Sequence, residues 1–230
     1  MRKRSKAYKS KVELVEPHKK YTLSDALEVL DKMPAAKFDE STELTVRLGI
    51  NVKHSDQQVR GTLILPHGVG KSTKVAVIAK GEKLAEAEKA GADYVGSEDL
   101  IEKIKGGWVE FDVLVTTPDM MKLVGVLGKV LGKKGLMPSP KTGTITLDVK
   151  KAVEEFRKGK VEYRADKQGI VHMSIGKKSF KKERLKDNIL AVYDAILKAK
   201  PSSAKGVYIK GVYLAHTMSP GVEVDSMNMN

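Results

Sequence analysis

Residues 66–79 read PHGVGKSTKVAVIA, and this stretch decides which kind of fold the chain adopts. The letters GKST resemble the end of a nucleotide-binding P-loop, but that pattern needs a glycine five residues before Gly70, where Leu65 stands. A P-loop must also open into a helix, whose N-terminus binds phosphate. The β-branched apolar run at 75–79 instead predicts a buried strand. The stretch therefore has another role than binding a nucleoside triphosphate.

The strand at 75–79 begins an alternation of strands and helices. The pattern after it predicts a helix over 82–90, a strand at 94–95, a helix over 98–105, a strand over 111–115, a strand over 144–149 and a helix over 151–158. Such alternation is typical of a parallel sheet with right-handed crossovers. No G-x-G-x-x-G follows the first strand, which argues against a dinucleotide site.

The two ends of the chain have a different rhythm, with antiparallel strands and helices. The elements predicted before residue 66 are a flexible basic arm over 1–11, a helix from Thr22 to Pro34, a strand with Leu44, Val46, Leu48 and Ile50 on one face, and a strand over 59–65. Those predicted after residue 159 are antiparallel strands at 161–165 and 170–175, a helix with Leu185, Ile189, Val192 and Ile196 on one stripe, and a strand over 206–215.

The fold class predicted from these patterns is α/β with a discontinuous outer domain. Residues 1–67 and 159–230 form an α+β domain of split β-α-β character, and residues 68–158 form an inserted Rossmann-like α/β domain. The chain must cross between the domains twice, so we predict a two-strand hinge in which glycines absorb backbone rotation. The predicted hinge residues are Pro66, Gly68, Gly70 and Gly159.

The net charge of +13 predicts a polyanionic partner, nucleic acid before membrane. Residues 68–159 contain 16 Lys and Arg against 13 Asp and Glu, a net charge of +3, and the rest of the chain contains 26 against 16, a net charge of +10. The charge alone is equally compatible with a lysine-rich solvated surface. The lack of cysteine fits a reducing compartment, and no apolar run reaches the ~18 residues of a membrane span. We therefore expect a soluble, cytoplasmic protein with no membrane partner.

Catalytic patterns are missing from the sequence. The five histidines are not spaced as metal ligands on one element, and neither G-x-S-x-G nor H-E-x-x-H occurs. We predict a protein that is not an enzyme and that has no catalytic residue, metal or cofactor.

Two polar loops carry groups suited to RNA, at 37–42 (KFDEST) and 216–221 (HTMSPG). RNA is recognised by hydroxyl and backbone contacts to phosphate and 2′-OH groups, together with flat or apolar groups against bases and riboses. The alternative is that Phe38 belongs to the core and Thr217 only forms a turn.

Several long motifs in the same order resemble the family of the bacterial-type large-subunit ribosomal protein L-one, a protein of the mobile stalk beside the tRNA exit site. They are KFDES at 37–41, VRGTLILPHGVGK at 59–71, AKGEK at 79–83, AGADYVG at 90–96, FDVLVTTPDMM at 111–121, GLMPSPKTGT at 135–144, and the Thr-Met-x-Pro-Gly turn at 217–221. The resemblance implies an outer domain that grips large-subunit rRNA and an inserted domain that lies towards exit-site tRNA and assists its release. It also implies a ribosome-associated protein that represses translation of its own mRNA. The RNA-contact residues that it implies are Lys37, Phe38, Glu40, Ser41, Lys167, Thr217, Met218 and Ser219.

The chain departs from the family pattern at two places. The family usually has glycine where Ser219 stands, which lets the backbone approach RNA closely. It also commonly reads LGPRG where residues 131–135 read LGKKG, so Lys133 replaces a rigid proline in the domain implied to face tRNA.

Two other functions are the alternatives to specific rRNA binding. A non-specific basic nucleic-acid-binding protein would bind any RNA with a steep dependence on salt. A phosphate-binding enzyme using residues 68–73, with Lys71 on the phosphates, would bind ATP or GTP and have no specific RNA target.

Overall fold

The computed structural model describes residues 4–226 and 229. The chain forms two compact units: an outer unit made from both chain ends, up to Gly70 and from Glu162, and an inserted unit, Lys71–Val161. The fold is of the mixed α/β class.

Helices and strands follow one another along the described residues as α1 (Lys6–Val12), α2 (Leu23–Lys32), β1 (Ser41–Leu48), β2 (Arg60–Ile64), β3 (Val75–Ile78), α3 (Glu82–Lys89), β4 (Tyr94–Gly96), α4 (Glu98–Lys105), β5 (Val113–Thr116), α5 (Met121–Val124), α6 (Gly128–Lys134), α7 (Val149–Arg157), β6 (Lys160–Arg164), β7 (Ile170–Lys177), α8 (Lys182–Lys198), β8 (Ile209–His216) and β9 (Val222–Val224). Short 3₁₀ turns are present at Ser55–Gln57, Pro118–Met120, Gly125–Leu127 and Pro140–Thr142.

The outer unit is built on a four-stranded sheet in the order β7-β1-β8-β9, with antiparallel neighbours throughout. β1 alternates as predicted, with Leu44, Val46 and Leu48 buried, but it ends at Leu48, so that Ile50, the fourth residue of the predicted face, lies beyond it and is half-buried. Helices α2 and α8 contact the sheet and each other. The predicted stripe of α8 is buried in full, and each such apolar side chain contributes ~1.5–3 kcal/mol on burial.

The inserted unit is a three-stranded parallel sheet, β4-β3-β5, covered on both faces. Because successive side chains of a strand point to opposite faces, the apolar run of β3 supplies two cores. Ala76 and Ile78 pack with residues of α4, α5 and α6, whereas Val75 and Val77 pack with residues of α3 and α7. The run after the GKST letters is therefore a fully buried strand, as predicted, and not a helix.

The predicted hairpin over 161–175 is wrong in its pairing. Both strands exist, but β6 pairs with β2 and β7 pairs with β1, so the two belong to different sheets. A single bridge, Ala165 to Val171, joins them. Asp166 explains the sharp turn, because its carboxylate accepts from the N–H groups of Gln168 and Ile170 and holds the turn without a strand ladder.

Two further predictions differ from the structure. The strand predicted over 144–149 shrinks to one bridge between Ile145 and Thr116, because Asp148 already caps α7 by accepting from the N–H of Lys151. The predicted flexible arm over 1–11 contains helix α1 within its described part. Ser5 caps this helix by accepting from the N–H of Tyr8.

Candidate RNA-binding surface

The two polar loops lie side by side at one end of the outer sheet. β1 and β8 are antiparallel neighbours, with Thr42 opposite His216. The loop before β1 and the loop after β8 therefore meet. Together, residues 37–41 and 217–219 form what we call the loop surface. It contains all the predicted RNA-contact residues except Lys167.

Ser41 and Thr217 join the two loops. The N–H of Thr217 donates to the carbonyl of Ser41 at 3.0 Å, and the Thr217 hydroxyl oxygen accepts from the N–H of Ser41, also at 3.0 Å. Lys177 of β7 donates from Nζ to the Ser41 hydroxyl at 2.9 Å. The hydroxyls of the loop surface are thus held in fixed directions by the protein itself.

Glu40 is the buried centre of the loop surface, with 1 % of its area exposed. Its carboxylate accepts from the backbone N–H groups of Ala36 at 2.8 Å and Met218 at 3.0 Å, and Lys11 Nζ lies 3.5 Å from it. Burial alone would raise the pKa of Glu40, but these two N–H groups and the charge of Lys11 outweigh it and hold the pKa below its usual value. Glu40 therefore orients a lysine and the 217–219 loop.

Ser219, the departure from the family pattern, closes the turn after β8. Its Oγ accepts from the N–H of His216 at 2.8 Å and lies 2.9 Å from the carbonyl oxygen of Pro220, to which it donates. The N–H of Ser219 in turn donates to the carbonyl of His216 at 3.0 Å. The added side chain therefore makes contacts within the turn.

The outer face of the loop surface presents the groups that suit RNA. Phe38 is 53 % exposed and Met218 is 55 % exposed, and Lys37 and Thr217 are also exposed. The alternative that Phe38 is a core residue is wrong, because so large an apolar side chain lies mostly in solvent.

Lys167 lies at the other end of the outer sheet. It follows β6 in the turn that leads into β7, where Ile170 pairs with Arg47 near the end of β1. Arg47 is six positions after Ser41 in β1, which corresponds to about 20 Å along the strand. Lys167 lines a cleft of about 570 Å³ together with Arg60 and Arg164. The basic groups there form a second region, apart from the loop surface.

The sequence patterns missed three supports of the loop surface: Lys11, Lys177 and the buried pair Thr42–His216. The Thr42 hydroxyl and His216 Nδ1 are 3.1 Å apart. Burial, with the charge of Lys178 adding to it, lowers the pKa of His216, so this imidazole is neutral at pH 7. Partners that lie 174 residues apart in the chain leave no local signal, so no spacing rule could have found them.

Three of the four predicted hinge residues, the glycines, have positive φ angles. Gly68, Gly70 and Gly159 have φ of 64°, 75° and 97°, values that favour glycine. The crossing at 66–70 is held to α8 by Asn188, which is fully buried. Its Oδ1 accepts from the N–H of His67 at 3.1 Å, and its Nδ2 donates to the carbonyl of Gly68 at 3.0 Å.

Lys71, the lysine of the P-loop alternative, already has an anionic partner. Its Nζ donates to Asp112 Oδ1 at 2.6 Å, and Asp112 Oδ2 accepts from the N–H of Lys74 at 3.0 Å. Since a strand follows and the lysine is paired with a carboxylate, the geometry is not that of a phosphate-binding loop.

Replacing Gly70 by alanine is expected to destabilise the outer unit more than the same change at Gly68. Alanine at positive φ costs about 1 kcal/mol at either site. At Gly70 the new Cβ would also lie 2.9 Å from Lys177 Cγ and from two ring carbons of Phe180, whereas nothing lies within 4 Å at Gly68. Crowding of this kind adds roughly 1–3 kcal/mol. Urea unfolding of both variants measures the difference, and equal losses would contradict the crowding.

Within residues 4–226 and 229, no helix combines the length and apolar composition needed to span a membrane. In the same part of the chain, no cluster of three His, Asp or Glu side chains is placed to hold a metal ion.

The basic outer unit and the exposed loop surface are features typical of a nucleic-acid-binding protein. The chain matches the ribosomal protein L1p/L10e family over residues 30–220, and it belongs to this family. It is thus a large-subunit ribosomal protein that binds rRNA and associates with the ribosome, in a family of structural ribosomal proteins. The resemblance drawn from the motifs is confirmed.

Proposed function

We propose that the outer unit binds the stalk rRNA of the large subunit through the loop surface. The observation that supports this most is that the 37–41 and 217–219 loops, far apart in sequence, present an aromatic ring, a methionine and hydroxyls on one face. These groups suit ribose, base and 2′-OH contacts. The basic cleft with Lys167 supplies phosphate contacts at a second place along the RNA, so affinity has a salt-dependent and a salt-independent share.

The inserted unit is proposed to meet exit-site tRNA and to assist its release. Residues 120–147 contain no acidic residue and carry Lys122, Lys129, Lys133, Lys134 and Lys141. A stretch of one charge sign attracts a polyanion and raises the rate of encounter. The replacement of proline by Lys133 adds to this charge. The two crossings at 66–70 and 159–161 act as the hinge that lets this unit follow the departing tRNA.

The same loop surface is proposed to repress translation of the protein's own mRNA. Repression requires that the messenger present the same arrangement of groups as the rRNA, so the two RNAs compete for one site. The alternative of non-specific binding predicts equal affinity for two RNAs of equal length, because charge alone does not distinguish them.

The deciding experiment measures affinity for the stalk fragment of large-subunit rRNA and for a scrambled RNA of equal length, across a salt titration. We expect a preference of ~10³ or more at physiological salt, a ratio typical of specific nucleic-acid binding. The 5′ leader of the protein's own messenger should displace the stalk fragment. Equal affinity for both RNAs would leave only non-specific binding, and a leader that does not compete would refute repression through this surface.

Thr217→Val keeps the shape of the side chain and removes the hydroxyl that accepts from the Ser41 N–H. We expect affinity for the stalk fragment to fall by about 1–3 kcal/mol, because a polar group of the surface or of the RNA loses its partner. Thr45→Val is the matched control, since its hydroxyl contacts His172 in the middle of β1, away from the loops. Unchanged binding by the Thr217 variant would remove Thr217 from the site.

A further inference from the structure

Helix α1 packs against the loop surface through a charged residue. Among its residues, Lys11 is the one that is buried, with 4 % of its area exposed. A cavity of about 300 Å³ lies between this helix and the 217–219 loop, lined by Tyr8, Lys11, Ala36, Met218 and others. Apolar packing therefore contributes little to holding α1 in place, and a helix of 7 residues is unstable in water by itself.

Lys11 and Glu40 hold the backbone of Met218 from both sides. Lys11 Nζ donates to the carbonyl of Met218 at 3.1 Å, and Glu40 Oε2 accepts from the N–H of the same residue at 3.0 Å. The two side chains also form an ion pair at 3.5 Å, with 6 % and 0 % of their side-chain areas exposed. Both peptide groups next to Met218 are therefore fixed, and with them the direction of its Cα–Cβ bond.

The family match begins at residue 30, so α1 lies outside the matched part of the chain. We propose that Lys11 is a positioning residue of the RNA site: it does not contact RNA, but it holds the Met218 peptide in the orientation that RNA binding requires. The proposal rests on the proposed function of the loop surface. Binding of RNA and formation of α1 are coupled through this one side chain.

The charge of Lys11 separates a positioning role from a phosphate contact. A lysine that contacts phosphate contributes about 0.7–0.9 to the slope of log affinity against log salt. A lysine that lies buried against Glu40 and a carbonyl contributes to affinity without changing this slope. The slope is therefore a readout that distinguishes geometry from charge.

The test compares Lys11→Met with Lys9→Met, an exposed lysine of the same helix. We expect Lys11→Met to weaken binding of the stalk fragment by about tenfold or more with an unchanged salt slope, the loss expected for a charged hydrogen bond. Lys9→Met should weaken binding less than Lys11→Met. An unchanged affinity for Lys11→Met, or a slope that falls by nearly one unit, would overturn the positioning role.

A double variant separates a loss of RNA affinity from a loss of stability. Lys11→Met with Glu40→Leu leaves no unpaired buried charge, so we expect the fold to be more stable than in Lys11→Met alone. Its RNA affinity should stay low, because the Met218 peptide has lost both partners. If affinity recovered together with stability, the positioning role would be wrong. If the parent bound stalk and scrambled RNA equally, the proposed function itself would fail, and the Lys11 proposal with it.

Discussion

Replacing Glu40 by alanine is expected to lower the free energy of unfolding by about 3–5 kcal/mol, the cost of leaving one partner of a buried ion pair uncompensated. The change strands the ammonium group of Lys11, whose side chain is 6 % exposed. It also removes the acceptor of two backbone N–H groups, those of Ala36 and Met218. Urea unfolding of the parent and the variant measures the loss. The slope of the unfolding free energy against urea concentration is compared between the two proteins.

Glu43→Ala is the matched control for Glu40→Ala. Glu43 is an exposed glutamate of β1, three residues after Glu40 in the chain, so it offers the same side chain nearby without the buried contacts. We expect its effect to stay within about 0.5 kcal/mol, as for other surface substitutions. A loss of similar size in both variants would mean that the buried contacts of Glu40 do not carry the stability.

The part of the Glu40 contribution that depends on its negative charge should be lost in acid. Its pKa in the folded protein lies below the usual 4.5, so the folded state binds fewer protons than the unfolded state in this range. The stabilisation linked to this shift is therefore fully present above pH 4.5 and is lost as pH falls through the folded-state pKa. The gap in unfolding free energy between the parent and Glu40→Ala should narrow over that window. A gap that widens below pH 4.5 would contradict the direction of the shift.

The fold follows from local patterns wherever one element buries a continuous face. The stripe of α8 and the alternation of β1 from Leu44 to Leu48 are of this kind, because the apolar residues of both patterns are buried. The β-branched run of β3 also identified a strand correctly, and with it the lack of a phosphate loop. Periodicity identifies elements because burial acts on every residue of the face.

Strand pairing could not be predicted in the same way. The sequence over 161–175 has two strands and a turn, which is also the pattern of a hairpin, but the choice of partner depends on β1 and β2, about a hundred residues or more earlier. Residues 144–149 have the composition of a strand and too little length before the cap of α7. In the first case a non-local constraint overrides a local preference, and in the second the N-cap of α7 competes with the strand.

The candidate site likewise has features that local sequence predicts and features that depend on distant partners. The loops at 37–42 and 216–221 were predicted from residue types, because hydroxyl, aromatic and apolar groups suit contacts to RNA. The burial of Glu40 and the role of Lys11 depend on partners far away in the chain and were not predictable. A basic N-terminal segment suggests a solvated arm, and only the contact of Lys11 with Glu40 and Met218 reveals a packed helix.

Replacing Asn188 by leucine is expected to lower the free energy of unfolding by about 3 kcal/mol, although the two side chains are similar in size. The amide of Asn188 is fully buried and serves the backbone at three points. It accepts from the N–H of His67 at 3.1 Å and donates to the carbonyls of Gly68 at 3.0 Å and Ile175 at 2.7 Å. Leucine fills the space and leaves these groups without partners, each at a cost of roughly 1–3 kcal/mol where water does not reach it.

The Asn188 contacts join the 66–70 crossing to β7 and α8 within the outer unit, so the loss should also appear locally. Amide hydrogen exchange at His67 is expected to accelerate in Asn188→Leu more than exchange in the middle of β1. Asp187→Ala is the control, because it removes the exposed partner of His67 Nε2, 3.0 Å away, and should cost less than about 1 kcal/mol. If Asn188→Leu unfolded at the same urea concentration as the parent, the buried amide would not anchor this end of the proposed hinge. A large loss with unchanged exchange at His67 would place the anchor at Ile175 alone.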